Sequence, residues 1–392
     1  QDSSFAGNKT AQGNQDGNSI GDFYYTPPTG YLALCTSNLP DVAVTPSEHF
    51  NTVLYTGDAA ADHNITGVGF APDFIWIKGR SYAYNHVLFD KIRGTGKYLQ
   101  SNTTNEEATV GGYLDSFDSD GFDTGGGGGV NANGVTYVAW NWKAGTSASG
   151  ATNGAGGSNK TYTASYNADA GFSIVNYVGN SAGGHTIPHH LGAIAEMVIA
   201  KNRDTAGDWR VYHHLLGQSV ANDAHKWLVL NDTAAATDSY DSWWDVEPTS
   251  SVFSVGNGDS TNKDGDEHIA YCFRSIDGYS KVGSYTGNGN ADGTFVYCGF
   301  KPAFVLIKNI ATSGEGFVMM NNKSDPSNVV GTYLTAYGAT VEQGTAGTTS
   351  SRSIDFVSNG FKIRGNSTEI NDGVTHIFYA VAETPFKYSN AR

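Results

Sequence analysis

"GFAPDFIWIKGR", residues 69–80, is the stretch on which the fold turns. Residues 74–77 are four apolar side chains in a row, closed by Lys78. A run this short fits a strand buried on both faces. Nearly the same phrase returns as "GFKPAFVLIKNI" at 299–310, and a looser version is "HLGAIAEMVIAKNR" at 190–203. Two other phrases recur with it. One is a strand ending in Tyr-x-Gly: "NTVLYTGD" (51–58), "SIVNYVGN" (173–180) and "KVGSYTGN" (281–288). The other is aromatic-rich: "YVAWNWK" (137–143), "HIAYCFR" (268–274) and "HIFYAVA" (376–382).

Spacing excludes coincidence. Tyr55 to Lys78 is 23 residues, Tyr177 to Lys201 is 24, and Tyr285 to Lys308 is 23. Lys78 to Trp140 is 62, Lys201 to Tyr271 is 70, and Lys308 to Tyr379 is 71. The chain therefore reads as three diverged copies, each of the size of a domain. The expected organisation is beads, each with its own core: 46–144, 161–278 and 279–392. The Gly/Ser-rich stretch 145–160 is expected to be a flexible linker between the first two. Residues 1–45 differ from the copies and read as an N-terminal extension or the tail of another domain. An unpaired strand there would present an open edge to the beads, to another subunit or to sequence outside this chain.

Between the landmarks the chain is dense in turn signals such as "DSDG", "NANG" and "GNGNADG". No long 3.6-residue periodicity stands out. The expected fold class is all-β, as tandem antiparallel β-sandwiches of jelly-roll or concanavalin-like type. Trp76, Trp140, Tyr271 and Tyr379 are expected to fill cores. Lys78, Lys201 and Lys308 are expected to mark where a strand leaves the core, stem packed and ammonium in water.

Composition agrees. Charged residues make up 16% of the chain, below the roughly 25% of ordinary soluble domains. Glycine is abundant (50 residues), with 22 Tyr, 19 Phe and 7 Trp. The net charge is −15 without a basic patch, which argues against nucleic acid and anionic lipid as partners. No stretch reaches the ~18 apolar residues of a membrane-spanning helix. The chain starts at Gln1 without a signal peptide, so its numbering is expected to begin after a cleavage or inside a longer protein. Cys35, Cys272 and Cys298 have no zinc spacing. Buried free thiols are the expectation, with a Cys272–Cys298 bridge as the alternative.

Few residues suggest chemistry. "YDSWWDVEP" (240–248) places Trp243 and Trp244 beside Asp241 and Asp245. Tandem indoles next to carboxylates could stack on a sugar ring and accept from its hydroxyls. The alternative is that they fill a core or a subunit contact. "GDSTNKDGDEH" (258–268) gathers Asp259, Asp264 and Asp266, a candidate calcium loop whose glycine and glutamate positions fit the twelve-residue pattern poorly. The same residues also suit hairpin turns. His189–His190 and His213–His214, near His185, form pairs whose neighbours point to opposite faces on a strand. "TGGGGGV" (124–130) lacks the Lys-Ser/Thr of a phosphate loop and reads as a flexible loop. No nucleophile elbow is present. Three copies of one small unit point to multiplied binding or building rather than to one active site.

"GFAPDFIWIKGRSYAYNHVLFDKIRGTGKYLQSN", with "DSDGF" and "NANGVTYVAWNWKAG" farther on, resembles a repeated domain of tail-fibre-like virion proteins of tailed phages. The first copy carries that pattern nearly whole, including His86, Asp90 and Arg93; the third lacks the "LFD..RG" element. "GDFYYTPPTGYLALCTSNLP" (21–40) is similar to the end of a SPRY-type sandwich. The resemblance implies a virion-surface component without catalytic residues. Its partners would be other virion subunits, its own copies (a trimer above all) and a host-surface polysaccharide. The expected function is host attachment. The alternatives are structural decoration or filament building, and a bacterial extracellular lectin or adhesin.

Overall fold

The computed structural model describes residues 10–39, 43–216 and 226–386 of the 392. Among them the regular secondary structure is nearly all strand, and every pairing between named strands is antiparallel. The first sheet contains β1 (Phe50–Thr56), β2 (Phe74–Gly79), β3 (Val87–Asp90) and β4 (Thr136–Trp142) in the order β1-β4-β2-β3. The second sheet has eight strands. Its last is Thr237–Asp238; the others are β5 (Thr146–Ala151), β6 (Thr161–Asn167), β7 (Phe172–Val178), β8 (Met197–Asn202), β9 (Arg210–His213), β10 (Lys226–Val229) and β11 (Glu267–Phe273). They run β5-β6-β7-β11-β8-β9-β10, then Thr237–Asp238. The third sheet, β12 (Ser280–Thr286), β13 (Phe300–Asn309), β14 (Val318–Asn321) and β15 (Thr375–Pro385), runs β12-β15-β13-β14 with Leu334–Thr335 at its edge.

The three sheets share one connectivity: first strand, last strand, second strand, third strand. They also share one register. Trp76 faces Trp140, Ile199 faces Tyr271, and Leu306 faces Tyr379 across their strand pairs. In each unit the residue two before the recurring lysine faces the recurring aromatic, whatever the length of chain between them.

Each sheet has a small partner sheet over its outer face, such as His63–Ile65, Ser116–Asp118 and Gly121–Thr124 for the first. Ile75, Ile77, Phe89, Phe122 and Tyr137 fill that first sandwich. The inner faces meet one another. Phe74, Trp76, Trp140, Trp142, Phe172, Ile199, Tyr271, Phe273, Phe304, Leu306 and Tyr379 form one continuous core. Phe74 stacks on Tyr271 at 4.3 Å, Phe273 meets Tyr379 at 4.7 Å, and Trp140 meets Phe304 at 5.7 Å, so each pair of sheets is joined by aromatic rings. Burying each such side chain contributes roughly 1.5–3 kcal/mol. The expectation of separate beads is corrected here: each unit has a core of its own and a share of a common one. β2 is buried along its whole length because both of its faces are covered, one by its own sandwich and one by the other two units.

The junctions close into a ring. The Glu107 amide donates to the Arg203 carbonyl (2.8 Å), Ala236 to Ile310 (2.9 Å), and Glu342 to Arg80 (2.8 Å). Ion pairs reinforce two of the three: Arg203 grips both oxygens of Glu107 in a bidentate pair, the strong kind, and Arg80 directs two N–H groups at one oxygen of Glu342. Trp76 Nε1 donates to His86 Nδ1 (2.8 Å), and His86 Nε2 meets the Thr335 carbonyl (3.0 Å). Asp90 and Arg93, both fully buried as side chains, pair beneath the Tyr271 hydroxyl, which donates to Asp90 at 2.8 Å. The "LFD..RG" element therefore joins the first unit to the second.

Lys78, Lys201 and Lys308 do not reach water; each is completely buried. Lys78 Nζ donates to the carbonyls of Gly79 and Ala339, Lys308 Nζ to those of Ala234 and Glu315, and Lys201 Nζ to that of Asn202. Two of the three thus tie their strand to a neighbouring unit. Burial pushes all three ammonium groups down to about 8.

The Tyr-x-Gly phrase also has a structural reason. Tyr55, Tyr177 and Tyr285 donate to the carbonyls of Val130, Thr261 and Ile370 (2.7, 2.6 and 2.5 Å). Those carbonyls lie in three short helical turns, α1 (Gly128–Asn131), α2 (Asp259–Asn262) and α3 (Thr368–Asn371). Gly57, Gly179 and Gly287 press so close to these turns that a Cβ would overlap the carbonyls of Ala132, Lys263 and Asp372. Asn131, Asn262 and Asn371, all buried, accept from the amides of Asp58, Asn180 and Asn288.

Two loops expected to be flexible are ordered. The stretch 145–160 contains β5, which pairs with β6 from Thr146↔Tyr166 to Ala151↔Thr161. The polyglycine stretch runs into α1, with Tyr113 packed on Gly127, where a Cβ would overlap its ring, and close against Gly129. Residues 10–39 form no named strand; they hold an isolated bridge between Asn14 and Phe23, a turn organised by Asp16 and a 3₁₀ turn at Thr36–Asn38.

Candidate functional site

The tandem tryptophans of the second unit part company. Trp243 is 2% exposed and packs edge-on against Tyr212 and Phe253 in the sandwich core. Alternation decides this: Trp243 bridges to Val255, so its neighbour must face the other way. Trp243 is a core residue and not a sugar platform. Trp244 is 37% exposed, and its six-membered ring lies on Gly183, where a Cβ would collide with it. Its pyrrole edge reaches Gly184, which sits beside Ala155. Tyr240, 51% exposed, stands at 6.1 Å with its ring tilted by 63°.

Two segments special to the second unit build this patch: the 240–248 loop and the 153–159 turn that follows β5. Asn153 bridges to Thr186 and fixes the turn beside Gly184. The carbonyl of Asp241 accepts from the Gly258 amide (2.7 Å), and its carboxylate from the Ser242 hydroxyl. Asp245 is half-buried beside Trp244. The result is an indole with one face supported by glycine backbone and a tilted phenol beside it, with Asp241 and Asp245 flanking it in the sequence. That arrangement can stack on the apolar face of a pyranose and accept from its hydroxyls. Sequence alone missed Gly183, Gly184 and Ala155. Their one signal was the insertion that lengthens the spacing between the first two copies.

The calcium candidates do not converge. Asp264 pairs with Lys160 (2.8 Å). Asp266 accepts from Asn202 and Thr205 and pairs with Lys263. Asp259 opens α2 and offers its main-chain carbonyl to Asn202. Among the described residues no three His, Cys, Asp or Glu side chains gather to hold a metal ion. The histidines serve structure instead. His185 bridges Asn262 and Thr152, His189 meets the Thr249 carbonyl, and His190 stacks on Tyr162 and Tyr166. Burial lowers the basicity of all three. Cys35, Cys272 and Cys298 are free thiols, so no Cys272–Cys298 bridge forms.

Residues 45–385 match the family described as a domain of unknown function, DUF7483. The chain belongs to that family. The match spans all three units as one domain, as their shared core requires. No curated protein and no solved structure matches the chain significantly. Within the DUF7483 domain, the Tyr240–Trp244 patch is an addition carried by the second unit alone.

Proposed function

We propose that the protein is a non-enzymatic component of a tailed-phage virion surface, a tail-fibre-like adhesin that holds a host-surface glycan. The observation that supports this most is Trp244, laid open on Gly183–Gly184 beside Tyr240. The ring of sandwiches supplies a rigid base, which keeps the entropic cost of binding low. Several copies on one particle would convert weak single contacts into firm attachment. No helix among the described residues is long and apolar enough to cross a membrane.

A screen of purified protein against an array of bacterial surface glycans tests this reading. Saturable binding that Trp244→Ala removes, with unchanged thermal stability, is the expected result. Absence of binding to every glycan, or steady shortening of a bound polysaccharide, would overturn it. A bacterial lectin would give the same array result but would be absent from purified particles.

A second reading, decoration or filament building through contacts with other subunits, draws on residues 25–34. Tyr25, Tyr31, Leu32 and Leu34 are 72%, 70%, 47% and 92% exposed. In a trimer of this chain, that apolar strip is the surface to be covered. Loss of self-association in a Tyr31→Ser, Leu34→Ser variant checks it.

A further inference from the structure

A second concavity lies where the second and third units meet. It is a cleft of about 470 Å³ lined by Glu196 and His214 on one side and by β12 and the strand Phe295–Tyr297 on the other. Its walls include Lys281–Tyr285 of the Tyr-x-Gly phrase and His214 of the histidine pair, but neither motif signalled a site, because five distant segments build the cleft. Phe295 and Tyr297 alternate with buried Val296 and turn outward, 46% and 64% exposed.

Two features give the cleft a chemical preference. The first is an open position on a strand edge. β12 pairs on one side only, with β15. Its outward main-chain groups are mostly taken: Ser280 by Ile276, the Val282 amide by the Ser275 hydroxyl, and the Thr286 carbonyl by the Thr294 hydroxyl. By alternation Ser284 faces the same way, and its amide and carbonyl meet no partner among the described residues. Ser284 lines the cleft. A parallel N–H and C=O side by side suit a vicinal diol, one hydroxyl accepting and the other donating.

The second feature is charge. Lys281 lines the same cleft, half-buried, and pairs with no carboxylate among the described residues. In a chain of net charge −15, a lone cation in an aromatic-walled cleft is an exception. The one carboxylate on the wall, Glu196, is turned to the Ser275 amide. Burial lowers the basicity of His214 against the pull of Glu196 and Glu247, which disfavours a second positive charge beside Lys281.

We infer that this cleft binds a carboxylated saccharide, with the acid group on Lys281, a vicinal diol on the Ser284 main chain and the sugar ring against Tyr297. The inference rests on the glycan-binding reading above and adds to it a second site with a stated ligand class. A saccharide fits better than a peptide strand, because the neighbouring outward groups of β12 are already bonded and cannot continue a ladder.

The test is calorimetric titration of the full chain with oligogalacturonate, with the neutral galactose oligomer as control. The expected result is binding of the acidic oligomer at least tenfold tighter than of the neutral one, weakening as salt is raised. Lys281→Met and Tyr297→Ala each weaken it tenfold or more, Lys281→Arg retains most of it, and Trp244→Ala leaves it unchanged. Equal binding of the neutral oligomer overturns the role of Lys281. Lack of binding to the acidic oligomer, or its loss in Trp244→Ala alone, overturns the site. Loss in Trp244→Ala alone would assign the acidic oligomer to the Trp244 platform instead; the other outcomes leave that platform to its own array screen.

Discussion

Trp142→Ala is the substitution that separates a ring with a common core from a string of beads. Trp142 is 2% exposed and belongs to the first unit. Its ring lies 4.9 Å from Phe50 and 5.2 Å from Phe74 of its own unit, 6.3 Å from Phe172 and 6.4 Å from Phe273 of the second, and 6.1 Å from Phe304 of the third. Removing it opens a cavity walled by all three units, and Trp→Ala in a packed core costs roughly 3–5 kcal/mol. Unfolding entropy of about 2.1 cal/mol/K per residue over the roughly 340 residues of the domain gives about 0.7 kcal/mol/K. The melting temperature should fall by about 4–7 °C. In scanning calorimetry the wild type should melt in one transition that moves as a whole in the variant. Phe122→Ala, confined to the first sandwich, should also lower that single transition, because no unit can lose its fold without baring the common core. A variant in which one transition shifts while two others stay in place would refute the shared core, as would a stable monomeric fragment 161–278.

The ring lysines make a pH prediction. Burial lowers Lys78, Lys201 and Lys308 from 10.5 to about 8. Between those values the unfolded chain binds more protons, so stability rises with pH. Urea unfolding at pH 7.5 and 9 should show a gain on the order of 1 kcal/mol per lysine, and Lys308→Met should remove about a third of that gain. Gly179→Ala should fail to fold or lose several kcal/mol, roughly the upper range for single substitutions, because the new methyl overlaps the Lys263 carbonyl. At Gly265, where a Cβ meets open space but φ is +82°, alanine should cost only about 1 kcal/mol; circular dichroism melts distinguish the two. Native protein should titrate at most one thiol with a disulfide reagent, since Cys272 and Cys298 are buried and burial raises their pKa. Three thiols should appear in denaturant.

Local pattern determined a good deal here. Antiparallel β structure follows from short apolar runs and dense Gly/Asn turns, and these are interactions between near neighbours. The recurring lysine and aromatic mark which strands correspond between the units and can be read without coordinates; the register, which sets Trp76 against Trp140 and Leu306 against Tyr379 across intervals of different length, cannot. Tertiary structure decided everything that depends on what covers a strand's second face. "FIWIK" announces two buried faces but not whether the second cover is a unit's own sheet or another unit's aromatic rings. That choice turned beads into a ring, drew the 145–160 stretch into a sheet edge and sealed three lysines away from water. It also split the tryptophan pair, leaving Trp244 open where Trp243 closed a core. Residues such as Lys281, Ser284 and Tyr297 form a cleft with His214 only after the units close, because chain proximity carries no record of which distant surfaces will face each other.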